Sequence, residues 1–306
     1  MDYLKILIKL SVVGLIFSGC QSVPLEKIDE SVVRFSATGC GPYGDEAKVA
    51  LVEYLRRENQ IKGSRSEFII HLGDIVSLKR HLNPYPNPKE LPETAYSEMR
   101  ALLLENNHIP TYIVPGDNEW NDQADPDRAW RYWEKHLLGL DEMFEKPWET
   151  FRQKVRSENF AFVQKGVLFI GLNMPGGKVH DKAEWDKGLS ENAEWVRKNF
   201  LLEDVYSAVI FFQVDPVNKK KREDLADFFR PFKLLAEAFS KPVLLLHADG
   251  HKWVVDKEFL AENVLRIQTD NISAQFPLIQ VTVSKQAVNT FSFNRRLDWV
   301  LSDKEK

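Results

Sequence analysis

Short apolar runs that each stop at a glycine- or acid-bearing turn, with helical stretches between them, constrain this chain more than any other feature. Residues 32–37, 68–72, 111–114, 208–212 and 243–246 are such runs. Each is of strand length and mostly apolar, with Arg34 and Ser36 interrupting the first and His71 the second, as suits strands largely buried on both faces. Helical spacing fills the intervals at 45–58, 96–106, 127–138, 148–156, 184–200 and 222–239. In the first of these, Ala50, Leu51, Tyr54 and Leu55 share a face. Residues 160–163 and 167–172 flank Gln164-Lys165-Gly166, a hairpin turn. The tail reads as strands at 264–267, 278–283 and 288–293, and four prolines within 81–92 predict an irregular loop. Strand–helix alternation with added hairpins predicts a mixed α/β (α+β) domain over residues 31–300, its sheets covered by helices.

The first twenty residues are of a different material. Lys5 and Lys9 precede an apolar stretch over 10–17 that ends in Ser18-Gly19-Cys20. A weakly basic start, a short apolar core and small residues predict a secretory signal peptide over 1–19; the stretch is too short for a membrane span. Cys20 resembles the lipidated first residue of a bacterial lipoprotein, although Phe17 stands where that pattern prefers Leu. An ordinary signal peptide with an incidental cysteine is the other reading. Lipidation implies a tether over 20–30, a membrane partner, and the cell envelope as location. With Gln21 after the cysteine, the periplasmic face of the outer membrane is expected. If Cys20 is acylated, Cys40, the one other cysteine, has no intramolecular partner.

A net charge of −4 with no basic patch argues against a nucleic-acid surface. The run Lys219-Lys220-Lys221-Arg222 reads as the solvated start of a helix, and Trp130, Trp133 and Trp195 read as core.

Chemistry concentrates at the ends of the apolar runs. The first is followed by Gly39-Cys40, the second by Gly73-Asp74, the third by Pro115-Gly116-Asp117-Asn118-Glu119-Trp120. Gln213-Val214-Asp215 follows the run at 208–212, and His247-Ala248-Asp249-Gly250-His251 the one at 243–246. Loops at the carboxyl ends of neighbouring strands converge, so these turns are expected to line one cleft. Several carboxylates with one or two imidazoles suit a divalent metal. An isolated turn would use the same residues for their tolerance of positive φ.

In this order the motifs resemble the calcineurin-like metallophosphoesterases, whose signatures are Asp-x-His, Gly-Asp, Gly-Asn-His-Glu/Asp, a lone His and Gly-His-x-His. The chain is closer still to a bacterial branch with Gly-Asp-x-Pro-Tyr, His-x-Gly-Asp, Pro-Gly-Asp-Asn-Glu-Trp and His-Gly-Asp-x-His, over residues 32–256. The resemblance implies a four-layer αββα sandwich of two mixed sheets, and two metals that activate water against a phosphate ester. It places Asp74 as the metal-bridging aspartate, Asp117 where the family has a metal-binding Asn, and Asn118 where it has a catalytic His. Gln213 takes the place of the lone His, Asp249 of the first His of Gly-His-x-His, and His251 of the second. Asp74, Asp117, Asp249 and His251 are thus the expected metal ligands, with Gln213 and Cys40 as further candidates. The resemblance also implies His251 and Asn118 as the catalytic pair, with Glu119 and His247 supporting the ligands from behind.

The departures matter as much. Cys40 occupies the position of the first metal Asp, and Pro42 that of its His. A thiolate there suits a soft metal, whereas decay of the site leaves merely a small residue. Asn118 cannot give up a proton as an imidazolium can. An amide oxygen at 213 would favour Mg, Mn or Ca over Zn. Asn121-Asp122-Gln123-Ala124 keeps only the Asp of the branch's Asp-Cys-His-Arg. His71 lies in an apolar run, as a core histidine or a ligand. His81, His108, His136 and His180 lack partners at ligand spacing, and Asn173 is a turn former or a cleft residue.

Two functions follow. One is a metal-dependent phosphoester hydrolase at the cell envelope, taking one or two divalent ions and a phosphoester substrate. The other is a catalytically inactive phosphoesterase-like fold that serves there as a binding or scaffold module.

Overall fold

The structure, a computed structural model, describes residues 31–218 and 224–300. The signal peptide and tether expected over residues 1–30, with Cys20, and the basic run at 219–222 lie outside the described residues. Strand β1 (Val32–Thr38) leads through a polar turn into α1 (Gly44–Gln60), then β2 (Phe68–His71), α2 (Glu93–Glu105) and β3 (Thr111–Ile113). β1, β2 and β3 run parallel and are buried on both faces apart from Arg34, which is why apolar residues dominate them and why Ser36, His71 and Thr111 are buried polar exceptions. Two further strands, β11 (Ile279–Ser284) and β12 (Phe291–Asn294), return antiparallel beside β1 and complete a five-stranded sheet, ordered β12-β11-β1-β2-β3.

The second sheet begins after α3 (Pro126–His136), with β4 (Phe151–Gln153), β5 (Arg156–Gln164) and β6 (Val167–Gly171) as antiparallel neighbours. Lys165 and Gly166 take positive φ at the β5–β6 turn, as a tight hairpin requires. Parallel strands follow: β7 (Ser207–Phe211) after α4 (Lys182–Asn199), and β8 (Val243–His247) after α5 (Ala226–Phe239). With β9 (Val254–Asp256) and β10 (Val264–Gln268) they give the order β4-β5-β6-β7-β8-β10-β9.

Helix α4 starts where Asp181 accepts from the amides of Ala183 and Glu184, and α3 where Asp125 accepts from that of Arg128 with Pro126 behind it. The sheets pack face to face through an aromatic core in which Phe68 meets Phe35, Phe162, Phe169 and Tyr112. α1, α2 and α3 cover the outer face of the first sheet, and α4 and α5 that of the second. The expected mixed two-sheet sandwich, helices outside, is the observed fold. Among the described residues no helix is long and apolar enough to cross a membrane.

One element differs. The helix expected over 148–156 is absent: Phe151–Gln153 is β4, and Arg156 opens β5. The three residues of β4 run exposed, half-buried, buried at the edge of the second sheet, and so short a strand shows no period that could be told from a helical one.

Candidate metal centre

The parallel strands of both sheets deliver their carboxyl-end loops to one rim, and backbone hydrogen bonds stitch these loops together. Cys40 N donates to Gly73 O (2.9 Å) and Gly41 N to Asp74 O (2.6 Å). Glu119 clamps the next pair: its carboxylate, fully buried, accepts from the amides of Asp74 (3.0 Å), Ile75 (3.2 Å) and Gly116 (2.8 Å). This is why Gly73 and Gly116 are glycines. A Cβ on Gly73 would come to 2.6 Å of Gly116 N, and one on Gly116 would overlap Asp74 N and Oδ1. Glu119 therefore supports the centre from behind, and its surroundings push its carboxyl up to about 7, through burial first.

Four residues at this rim hold left-handed backbones: Cys40 (φ 51°), Asp74 (61°), Asp249 (67°) and His251 (56°). Asp tolerates that region; Cys and His adopt it only where the surrounding structure fixes them, at a cost of about 1–3 kcal/mol each. The loops thus aim chosen side chains inward. Cys40, Asp74 and His251 offer ligand atoms that all lie within 4.8 Å of one another. Cys40 Sγ–H donates to Asp74 Oδ2 (3.5 Å) and accepts from Asp249 N (3.1 Å). Burial, then the charge of Asp74, pushes the thiol well above its usual range. Burial and Glu119 likewise push the Asp74 carboxyl up to about 7.

Next to this triad the arrangement changes. Gln213, fully buried, donates from Nε2 to both Asp74 Oδ2 (3.1 Å) and Asp117 Oδ1 (3.0 Å), while its Oε1 accepts from Gly176 N (2.5 Å). The Gly176 amide fixes this orientation, because a flipped carboxamide would set two donors against each other. The expected amide-oxygen ligand is corrected: the oxygen is engaged, and an N–H₂ group faces the carboxylates. A loop also closes over this side, since Gly177 packs so near Asp117 that a Cβ on it would overlap the Asp117 side chain. Asp249 turns its Oδ2 to the amide of Asp215 (3.0 Å).

The donor set therefore fits one divalent cation, held by Cys40, Asp74 and His251. It does not fit a second one between Asp74, Asp117 and Asp249, where the Gln213 amide stands. With the amide oxygen engaged elsewhere and a thiol in the fitting set, these donors do not favour Mg, Mn or Ca over Zn.

Asn118 is not free to handle protons. Its Nδ2 donates to Val76 O (2.8 Å) and Tyr43 Oη (3.3 Å), and its backbone N to Asp74 Oδ1 (3.2 Å). His247 stacks on Phe212 at 5.3 Å and is buried, donating Nδ1–H to Ala248 O while Nε2 accepts from Arg266 Nη1 (3.1 Å). Burial and Arg266 drop its pKa to about 3, so it is a neutral strut. His71 is likewise a core histidine: its Nε2 meets Gly41 O at 2.8 Å, and burial lowers its pKa to about 4.

Four contributors carry no sequence assignment above. Tyr43 Oη donates to Asp74 Oδ2 (3.4 Å), and Gly176 orients Gln213. Arg266 joins His247 to Asp215 (3.3 Å), whose amide holds Asp249. For Arg266 a signal exists, a lone charge within an apolar strand, and for Tyr43 there is its place in the Pro-Tyr motif.

The calcineurin-like phosphoesterase family matches residues 41–251, more than two thirds of the chain. No curated protein matches it. Among solved structures, a 5'-nucleotidase from Candida albicans SC5314 is similar at a TM-score of 0.49 and 10% identity, covering 86% of this chain and 51% of that one. This chain thus spans about half the length of the nucleotidase. A dimetal phosphatase from Danio rerio is similar at 0.47 and 12%, covering 83% and 93%. GAP50, the anchor in the inner membrane complex of Plasmodium, is similar at 0.42 and 13%, covering 87% and 88%. A match of this extent to one family, on a two-sheet sandwich whose strand-end loops carry the motifs, means that the chain belongs to the calcineurin-like phosphoesterases.

Proposed function

We propose that this phosphoesterase domain is a binding or scaffold module, held at the bacterial cell envelope by a lipid on Cys20, and not a two-metal hydrolase. The family implies divalent metal ions. The observation that carries the proposal is the Gln213 amide, which donates to Asp74 and Asp117 where a second cation would need free oxygen ligands. Two carboxylates facing each other in a buried site need a positive partner, and the N–H₂ group supplies partial positive charge without any metal. Asn118 adds to this, since both of its Nδ2 contacts are structural and it has no proton to give a leaving group.

A second reading is favoured by one observation, the convergence of Cys40, Asp74 and His251. A cation held there would supply a Lewis acid for a phosphoryl oxygen. Around it Tyr43 would orient a substrate oxygen, and His251, the exposed member, would meet an incoming group first.

The test is turnover of phosphomonoesters and phosphodiesters by the purified mature protein over a panel of divalent metals, against an Asp74→Ala control. No turnover above the control is expected. Metal-dependent turnover that the control abolishes would overturn the proposal in favour of the one-cation hydrolase. The anchor is tested separately: palmitate labelling of the expressed protein should be lost in Cys20→Ala.

A further inference from the structure

Beside the motif loops, and separate from the Cys40–Gln213 centre, a groove of about 560 Å³ opens between α3, the β4–β5 turn and the start of α4. Its aromatic wall is Trp120 and Trp130, with ring centroids 4.6 Å apart and a 42° tilt. His180 stands edge-on to Trp120 at 5.7 Å. Both indoles are half-buried, and among the described residues no Lys or Arg lies over either of them, although five other aromatic rings carry such a cation.

The remaining lining is acidic. Asp127, Glu134, Glu158, Asp181 and Glu184 face two bases, Lys154 and Arg156, an excess of three carboxylates (five less two). Arg156 is already engaged, by Glu184 and Glu191 at 2.6 Å each and by Glu158 at 3.7 Å. At the base of the groove Asn173, only 7% exposed, donates Nδ2 to Glu158 Oε1 (2.8 Å), and its Oδ1 has no hydrogen-bond partner. A buried acceptor without a donor is costly and uncommon. Here it lies beside a buried carboxylate, in a groove whose aromatic wall carries no cation; Trp130 stacks on Trp133 at 5.1 Å on one side, which leaves Trp120 as the more open ring.

We infer that this groove binds a small organic cation bearing N–H donors, a primary amine or guanidinium. Its carbon skeleton lies against Trp120 and Trp130, its positive charge answers the carboxylate excess, and its N–H groups reach towards Glu158 and Asn173. The same charge excess turns away phosphate and other anions. The inference goes beyond the proposed function, because none of the three ligand-bearing residues of the metal centre lines the groove.

The experiment titrates the purified full chain with 1,4-diaminobutane, tetramethylammonium and glucose, by tryptophan fluorescence and calorimetry, with and without chelator. The diamine should saturate, tetramethylammonium should bind more weakly for want of N–H donors, and glucose should not bind. Chelator should change nothing. Trp120→Ala and, independently, the exposed Glu134→Gln should each weaken the diamine by about tenfold while the melting temperature of Glu134→Gln stays at the parent value. No saturation by ~10 mM diamine, glucose binding as tightly as the diamine, or diamine binding unchanged in Glu134→Gln would each overturn the inference.

Discussion

Exchanging Gln213 for Glu is the sharpest perturbation of the centre, because the side chains are nearly isosteric and differ only in the atom at issue. In the parent, Nε2 donates to Asp74 at 3.1 Å and Asp117 at 3.0 Å, and Oε1 keeps its bond from Gly176 N. The substitution leaves the Gly176 bond in place and removes both donations, each to a charged acceptor and so about 1.5–3 kcal/mol. If the introduced carboxyl is protonated it returns one donation, and the loss is that of the other, about 1.5–3 kcal/mol. Once it ionises, both donations are gone, a loss of about 3–6 kcal/mol, and a third carboxylate joins a buried pair. Its folded pKa is raised, so the variant is least impaired in acid and loses stability as the pH rises through that pKa. Urea denaturation in chelator at pH 6 and pH 8 measures both values. Adding Mn²⁺ should then restore stability to the variant far more than to the parent, by about 2.7 kcal/mol at a hundredfold excess over its dissociation constant. A variant within about 0.5 kcal/mol of the parent in chelator at both pH values would refute the reasoning.

Three further outcomes follow from the same contacts. Glu119→Ala strips the acceptor from three buried amides, and urea denaturation should show a loss of about 3–5 kcal/mol; a loss under 1 kcal/mol would mean that water replaces the carboxylate. Gly116→Ala drives a methyl into Asp74 N and Oδ1, so its melting temperature should fall well below that of an alanine placed on the exposed face of α1 at Val49. The pH profile separates two opposing sets of groups. His71 and His247, with folded values near 4 and 3, contribute stability that is present above about pH 6.5 and lost as the pH falls. The raised carboxyls of Asp74 and Glu119 contribute stability that is present in acid and lost as the pH rises towards about 7. Glu119→Gln removes one of the latter, so stability should fall more steeply than the parent's between about pH 6.5 and pH 4.5, by up to ~1.4 kcal/mol per pH unit; an unchanged slope would count against a raised Glu119.

Much of this was legible in the sequence because central parallel strands, buried on both faces, must be written in apolar letters. β2, β7 and β8 were visible for that reason, and their polar ends marked the rim. The edge strand β4 was hidden, since a half-exposed triplet has no length in which to show its period. At the centre, residue identities could be read and orientations could not. The sequence shows that residue 213 is Gln, but which end of its amide faces the carboxylates is decided by the Gly176 amide, 37 positions away. The same limit concealed Tyr43, whose hydroxyl reaches Asp74 across 31 positions, and the link from His247 through Arg266 to Asp215. Glu119 is conspicuous in its motif, yet its role as the clamp on three loop amides depends on two strands lying side by side.

The central claim is that the Gln213 amide holds the place of a second metal. It is tested most directly by counting metal atoms in the purified protein after equilibration with Zn²⁺ or Mn²⁺ and gel filtration. The account predicts no more than one tightly held ion per chain, lost in Cys40→Ser or His251→Ala. Two tightly held ions per chain would contradict it.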